Sequence, residues 1–462
     1  MGPSDLARQE RRLQDGLAGC VGASLPALSS LRDLPLSGDD AGRQGLYRRF
    51  GERLGWELLE RARSGIDGRL TWCFPDHDRR PRDQELPLGL YDGLSGVLVF
   101  LAGLSRSTGA ERWNEATMSA SRSLLTELGG RRGGREVRAD SPAMGLEGIG
   151  SVIYAGTLAA ALTGQREHGE LARAALELVD PDESPGPPPG DVVRGVSGLI
   201  LFLLAEYSES ANPHTLRRAR ALGLRLLETE GDGQQVSSHP GDIRDTEPPM
   251  GLAHGRSGVG LAFARLFGAT GDPEFEGAAL RAFERERRLV LSWLNEPGSE
   301  RARTVSRPWT VSAWCNGPPG MALARALALD HLDHPAVHQD LEMALDAVLQ
   351  PIGRRSDHLC CGNLGVADVL WTIGARLGRQ EVCETALRLA DQCLHRARQR
   401  GHFVLSASPF ENRVLDPGFF RGLSGIGYQL LRLSCPRRLP SVLAFETRGA
   451  STGRCLADSK EA

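Results

Sequence analysis

Three cysteines stand where a metal site would put them. Cys315 lies in Trp314-Cys315-Asn316-Gly317-Pro318-Pro319-Gly320, and Cys360 and Cys361 lie in Leu359-Cys360-Cys361-Gly362-Asn363-Leu364-Gly365. Thiolates on stiff turns at helix starts suit a four-coordinate zinc, and three of them leave one position for a substrate. Adjacent cysteines can serve one ion only where the backbone turns sharply, which Gly362 permits. A lone cysteine is most often a small buried hydrophobe. Three of them, each just ahead of a glycine of the same kind, favour a metal. His358, two residues before Cys360, is an alternative ligand to Cys361. His254, in Gly251-Leu252-Ala253-His254-Gly255, is the candidate for proton transfer, because imidazole titrates near neutrality. Asp92, directly before Gly93, is a second candidate catalytic residue that would orient His254 or accept a proton. Its competing role is a helix cap. Glu147 faces the same choice. Arg194, Arg256 and Arg421 flank similar glycines, where they would steer an anionic group or simply face water.

The elements carrying these residues repeat. A Gly-x-x-Gly pair followed by an apolar helix recurs at Gly93, Gly145, Gly195, Gly255, Gly317, Gly362 and Gly422, seven copies spaced 45 to 62 residues apart. The runs after the glycines are apolar on every side, which is the pattern of a buried helix. Between them lie one-sided amphipathic stretches, and a further one spans 44–64. Alternating buried and half-buried helices predict an all-α fold, an α/α toroid with an inner ring inside an outer ring. An open solenoid is the competing geometry, since repetition alone does not close a ring. Such a toroid gathers the inner-helix N-termini, with their free N–H groups, at one end. The sequence divides into a weakly ordered segment over 1–45, the toroid over 46–436 and a loose tail over 437–462. Stretches 131–140, 181–190 and 231–250 interrupt the repeat as polar or Pro-rich loops.

Composition narrows the classes. Lys and Arg number 55 against 58 Asp and Glu, a balance that gives no nucleic-acid footprint. The longest apolar run, 199–205, is far shorter than the roughly 18–20 residues of a membrane span. No basic segment leads into an apolar one at the N-terminus, so no secretory signal is read. Nine dispersed cysteines are an odd number at spacings unlike a disulfide framework, which favours reduced thiols and a cytoplasmic setting.

Taken together, the seven glycine loops, the His254 loop, Trp314-Cys315-x-Gly317 and Cys360-Cys361-Gly362 resemble the lanthionine synthetase C-like family over roughly 44–433. Leu90-Tyr91-Asp92-Gly93-Leu94-Ser95-Gly96 and Phe419-Phe420-Arg421-Gly422-Leu423-Ser424-Gly425 look most like the C-terminal cyclase domain of class II lanthipeptide synthetases. The resemblance implies an α/α toroid with one Zn²⁺ held by Cys315, Cys360 and Cys361, and His254 as acid/base. It implies a cyclase that adds peptide cysteine thiolates to dehydroalanine or dehydrobutyrine, forming thioether rings in a dehydrated precursor peptide. Many members have His as the third ligand, where this chain has Cys361. An arginine often precedes the Trp-Cys pair, whereas here Val311 and Ser312 fill that stretch and Arg307 lies further off. No stretch is long enough for the dehydratase domain of the class II enzymes, so the expectation is a stand-alone cyclase, a fragment of a larger synthetase, or a relative fed by a separate dehydratase. The alternative function is a zinc-bearing protein that binds thiols or peptides, glutathione-like, without turnover. A carbohydrate-active toroid ranks below both, because only Asp92 and Glu147 offer a carboxylate pair.

Overall fold

The computed structural model of the chain describes residue 31 and residues 40–65, 68–74, 84–132, 143–180, 189–231, 250–294, 313–350, 356–406 and 416–449. Among the described residues, seven helices apolar on all sides follow the glycine loops: α2 (Leu94–Thr108), α4 (Ile149–Thr163), α6 (Val196–Ser210), α8 (Arg256–Thr270), α10 (Pro318–Ala328), α12 (Asn363–Leu377) and α14 (Leu423–Ser434). Their side chains are almost wholly buried. The amphipathic stretches form seven more: α1 (Asp40–Leu59), α3 (Glu111–Arg132), α5 (Arg166–Leu176), α7 (Pro213–Gly231), α9 (Pro273–Leu294), α11 (Pro335–Leu349) and α13 (Gln380–Arg400). A short antiparallel ribbon, β1 (Arg63–Ser64) and β2 (Leu70–Thr71), is the sheet among the described residues.

Each inner helix packs against its two inner neighbours and chiefly against one outer helix. The last, α14, packs on both α1 and α2, so the double ring is closed and α1 is the outer partner of α14. The structure therefore selects the toroid over the open solenoid.

The glycine loops share one backbone design. In four of the loops the first N–H of the inner helix reaches back to a carbonyl seven residues earlier. Leu94 bonds Pro87 (2.8 Å), Val196 bonds Pro189 (2.8 Å), Asn363 bonds Ser356 (3.0 Å) and Leu423 bonds Asp416 (2.7 Å). This satisfies donors that every helix start leaves open. Glycine is required where the loop folds on itself: a Cβ on Gly365 would lie 1.7 Å from the Leu359 carbonyl oxygen. Gly317, beside Cys315, has φ of +116°, a backbone state that side chains resist.

The sequence suggests a loose tail from 437. The structure describes this segment to Gly449, and there it enters the inner ring. Leu439, Val442, Leu443, Ala444 and Phe445 are buried. Five inner helices hold it: Tyr154 Oη donates to the Glu446 carbonyl (2.7 Å), Ser208 meets Thr447 (3.4 Å), and Arg265 Nη2 donates to the Ala444 carbonyl (2.7 Å). Ser441 Oγ donates to Asp368 (2.5 Å), and Tyr428 Oη donates to the Pro440 carbonyl (3.0 Å). Trp314 Nε1, next to Cys315, donates to the Leu443 carbonyl at 3.2 Å.

His168 on α5 is fully buried and shares a 2.6 Å hydrogen bond with Ser121 on α3. Burial lowers its pKa from 6.5 to about 4. The unfolded chain therefore binds a proton between pH 6.5 and about 4 that the folded chain does not. Neutral His168 contributes stability above pH 6.5 that is lost as pH falls through this window. A shift of this size corresponds to about 3 kcal/mol at most. Urea unfolding at pH 7 and pH 4.5 is expected to show a steeper loss in the native protein than in His168→Gln.

Candidate metal centre

The seven glycine loops, here loops 1 to 7 in chain order, are stitched together by backbone hydrogen bonds at one end of the ring. Leu90 N–H bonds the Leu146 carbonyl (2.7 Å), Leu146 bonds Val192 (3.2 Å), Val192 bonds Ala253 (3.0 Å) and Ala253 bonds Cys315 (3.2 Å). Cys360 bonds Phe420 (2.8 Å), and Phe420 bonds Tyr91 (2.9 Å). Among the described residues, only the junction between loops 5 and 6 lacks such a bond.

The three cysteines meet at that junction. Cys315 Sγ lies 3.2 Å from Cys361 Sγ, and Cys361 Sγ lies 3.5 Å from Cys360 Sγ. All three sulfurs fall within 4.8 Å of one another. Thiolates on a tetrahedral zinc, with Zn–S of about 2.3 Å, sit roughly 3.8 Å apart, so this donor set fits the ion. Cys360 is buried, Cys315 is half-buried and Cys361 is exposed, so the cluster reaches the surface on one side. The Cys361 thiol is pulled far below its usual range, first by the hydrogen bond with Cys315 and then by that with Cys360. The Cys315 thiol is pushed up, first by its bond with Cys360, then by that with Cys361, with burial adding to both. Ionising all three sulfurs calls for a cation among them.

His358 takes a different role from the ligand alternative. Its Nδ1 accepts the Cys361 N–H at 3.3 Å, and burial lowers its pKa to about 4, so it is a neutral brace for the Cys360-Cys361 turn. Asp357 anchors the same loop from outside, accepting from Arg396 on α13 (2.7 Å) and from the Val404 N–H (3.0 Å).

His254 is half-buried on loop 4, one residue from the Ala253–Cys315 bond. Its Nδ1 lies 3.0 Å from Asp191 Oδ2 on loop 3. The other oxygen, Oδ1, accepts the N–H groups of Arg194 and Gly195, both at 2.9 Å, which fixes the carboxylate. Loop 4 is gripped from behind by Glu286 on α9, which accepts the Gly251 N–H (3.0 Å) and the Ser257 N–H (3.2 Å). Arg325 on α10, fully buried, holds Glu286 at 2.6 Å and Asp340 at 3.4 Å, so the buried charges are paired.

Asp191 is the residue that the sequence reading passes over. It follows directly on 181–190, read there as a Pro-rich excursion. Its signal is an Asp four residues before the loop glycine Gly195. Asp92 lies on loop 1, with its backbone against Gly418 of loop 7, so the carboxylate at His254 comes from loop 3 instead. Glu147 and Arg194 face each other at 3.8 Å, and Arg256 is held by Glu230. Burial works against the charge of Arg421, and the nearby acidic groups Tyr91, Asp92, Cys360 and Cys361 more than offset it. Arg307, Val311 and Ser312 lie outside the described residues.

A closed double ring of helices, with three thiols gathered at one seam and a carboxylate-held imidazole on the adjoining loop, describes an α/α toroid with a thiol-rich candidate centre. Residues 84–444 match the model of the family described as lanthionine synthetase C-like protein, and the chain belongs to that family. It is 25% identical over 203 residues to the nisin biosynthesis protein NisC of Lactococcus lactis subsp. lactis. That match covers 40% of this chain and 49% of NisC, about half the length of the relative. The solved structure of nisin cyclase superposes with a TM-score of 0.53 over 75% of this chain and 88% of that one, at 16% identity, a likeness of fold.

The purified protein is expected to bind one equivalent of zinc. Cys315→Ala and Cys360→Ala are expected to lose it on dialysis while keeping helical circular dichroism, as read by elemental analysis.

Proposed function

We propose that this protein is a zinc-dependent lanthipeptide cyclase. The observation that carries the reading is the convergence of Cys315 with Cys360 and Cys361 between loops 5 and 6, with Cys315 on the loop that adjoins the His254 loop. When bound, zinc lowers the pKa of a peptide cysteine thiol, so that thiolate is available near neutral pH. Cys315, Cys360 and Cys361 hold the ion and leave one position for that sulfur. The substrate sulfur bonds the β-carbon of dehydroalanine or dehydrobutyrine, the double-bond pair moves toward the neighbouring carbonyl, and a proton completes the α-carbon. His254 donates this proton, and it takes up the thiol proton earlier in the cycle. Asp191 orients the imidazole through Nδ1, which leaves Nε2 to face substrate. Asp92 and Arg421 place opposite charges at the loop 1 and loop 7 rim. Because the reaction consumes a dehydrated peptide, a dehydratase activity must act on the substrate first, and the cytoplasm is where the two would meet.

Mass spectrometry with thiol alkylation on a dehydrated, cysteine-containing peptide tests the reading. Free thiols are expected to disappear without change in peptide mass, and thiols that persist overturn the reading. His254→Asn is expected to slow ring formation by about 10²–10⁴-fold, the usual worth of a general acid–base. Asp191→Asn is expected to slow it less. Cys361→His removes one negative charge from the ligand set and with it electron donation to the substrate sulfur. It is expected to slow addition, and an equal or faster rate contradicts the all-thiolate argument.

A further inference from the structure

Tyr91 is assigned no part in the chemistry above, yet its hydroxyl ends on a proposed ligand. Tyr91 Oη lies 3.0 Å from Cys360 Sγ and donates to it. The ring has little freedom to point elsewhere. It stacks flat on Phe420, with centroids 5.1 Å apart and planes 7° from parallel. The Tyr91 carbonyl accepts the N–H groups of Phe419 (3.2 Å) and Phe420 (2.9 Å), and its own N–H bonds the Leu146 carbonyl (3.3 Å). Phe420 in turn accepts the Cys360 N–H at 2.8 Å. Loop 7 thus fixes both ends of the Tyr91–Cys360 contact.

A largely buried tyrosine hydroxyl needs a partner. A neutral thiol is a weak acceptor, whereas a thiolate is a strong one. The hydroxyl is therefore arranged for an ionised Cys360, the most buried of the three sulfurs and the one least served by water. The other two sulfurs have no such donor among the described side chains.

We infer that Tyr91 is a positioning residue for the metal centre, holding Cys360 in its ligating rotamer and drawing electron density from its sulfur. This rests on the zinc reading of the three cysteines. The consequence is electronic asymmetry. An all-cysteine site is the most electron-rich that zinc accepts, and one hydrogen-bonded thiolate partly restores the ion's pull on an incoming thiol. Partners of this kind orient ligands and tune the metal in other sites.

The test is cobalt(II) substitution of the full chain, with Tyr91→Phe beside the native protein. Phenylalanine keeps the stack on Phe420 and removes only the hydroxyl. The native protein is expected to show an intense thiolate-to-cobalt charge-transfer band in the near ultraviolet. In Tyr91→Phe that band is expected to move to lower energy, because the Cys360 lone pairs are no longer held by a proton donor. Zinc competition against a chromophoric chelator is expected to give roughly tenfold weaker binding in the variant. A band and an affinity unchanged from the native protein overturn the role of Tyr91 and leave the metal site standing. A native protein without a thiolate–cobalt band overturns the metal site itself, and the inference with it.

Discussion

Among the described residues, six of the seven loop junctions are closed by main-chain hydrogen bonds, and at the seventh it is sulfur atoms that meet. That is the constraint on which the rest of the site depends. Each loop is held by its neighbours on both sides, so the position of a residue such as His254 follows from the whole circle. Loops 5 and 6 are each tied on one flank only, to loop 4 and loop 7. Between them lie thiols whose close approach favours one negative charge and disfavours three. A divalent ion bridging Cys315 to Cys360 and Cys361 would supply the missing tie. Chemistry and architecture then meet in one bond set: the seam that the backbone leaves open is where a fourth ligand can enter.

Support for this circle comes from behind. Buried carboxylates tie the loops to the outer layer: Glu286 on α9 accepts the Gly251 N–H, and Asp357 on loop 6 accepts from the Val404 N–H and the Arg396 side chain. Each has an arginine or backbone donors to offset its burial, so the cost of a charge in the interior is met by hydrogen bonds that also fix the loop. Asp191 works the same way at closer range. One oxygen holds its own loop and the other holds the imidazole of the next, which couples loop shape to the orientation of His254. The tail adds a third support through Leu443, whose carbonyl receives the Trp314 indole.

Much of this was legible in the sequence, for local reasons. The glycine pairs mark turns that only glycine fits, and the apolar runs after them mark helices buried on all sides, so the repeat and the inner ring could be read directly. The cysteines could be read because they occupy equivalent places in adjacent repeats. Asp191 could not, because its meaning lies in a contact with a residue 63 positions away. Asp92, in a more obvious loop position, drew the assignment that geometry gives to Asp191. The packing of 437–449 was hidden for another reason. The apolar run at 442–445 is too short to show a period, and its partners are scattered over five helices. Tyr91 lies in the first glycine-loop motif, but the reach of its hydroxyl to loop 6 exists only after the ring closes.

The pairing of α14 with α1 and α2 has a consequence for biogenesis. Phe100 on α2 fills the space over Gly427, and Tyr428 covers Gly103, so the flank of the first inner helix is completed by the last. A nascent chain can stack one helical pair upon another as it leaves the ribosome, but the apolar flanks of α1 and α2 stay bare until 416–434 has been made. The final helix thus acts as a latch. Before it engages, Cys360 lacks the Phe420 carbonyl that takes its N–H, and Tyr91 lacks the ring on which it stacks.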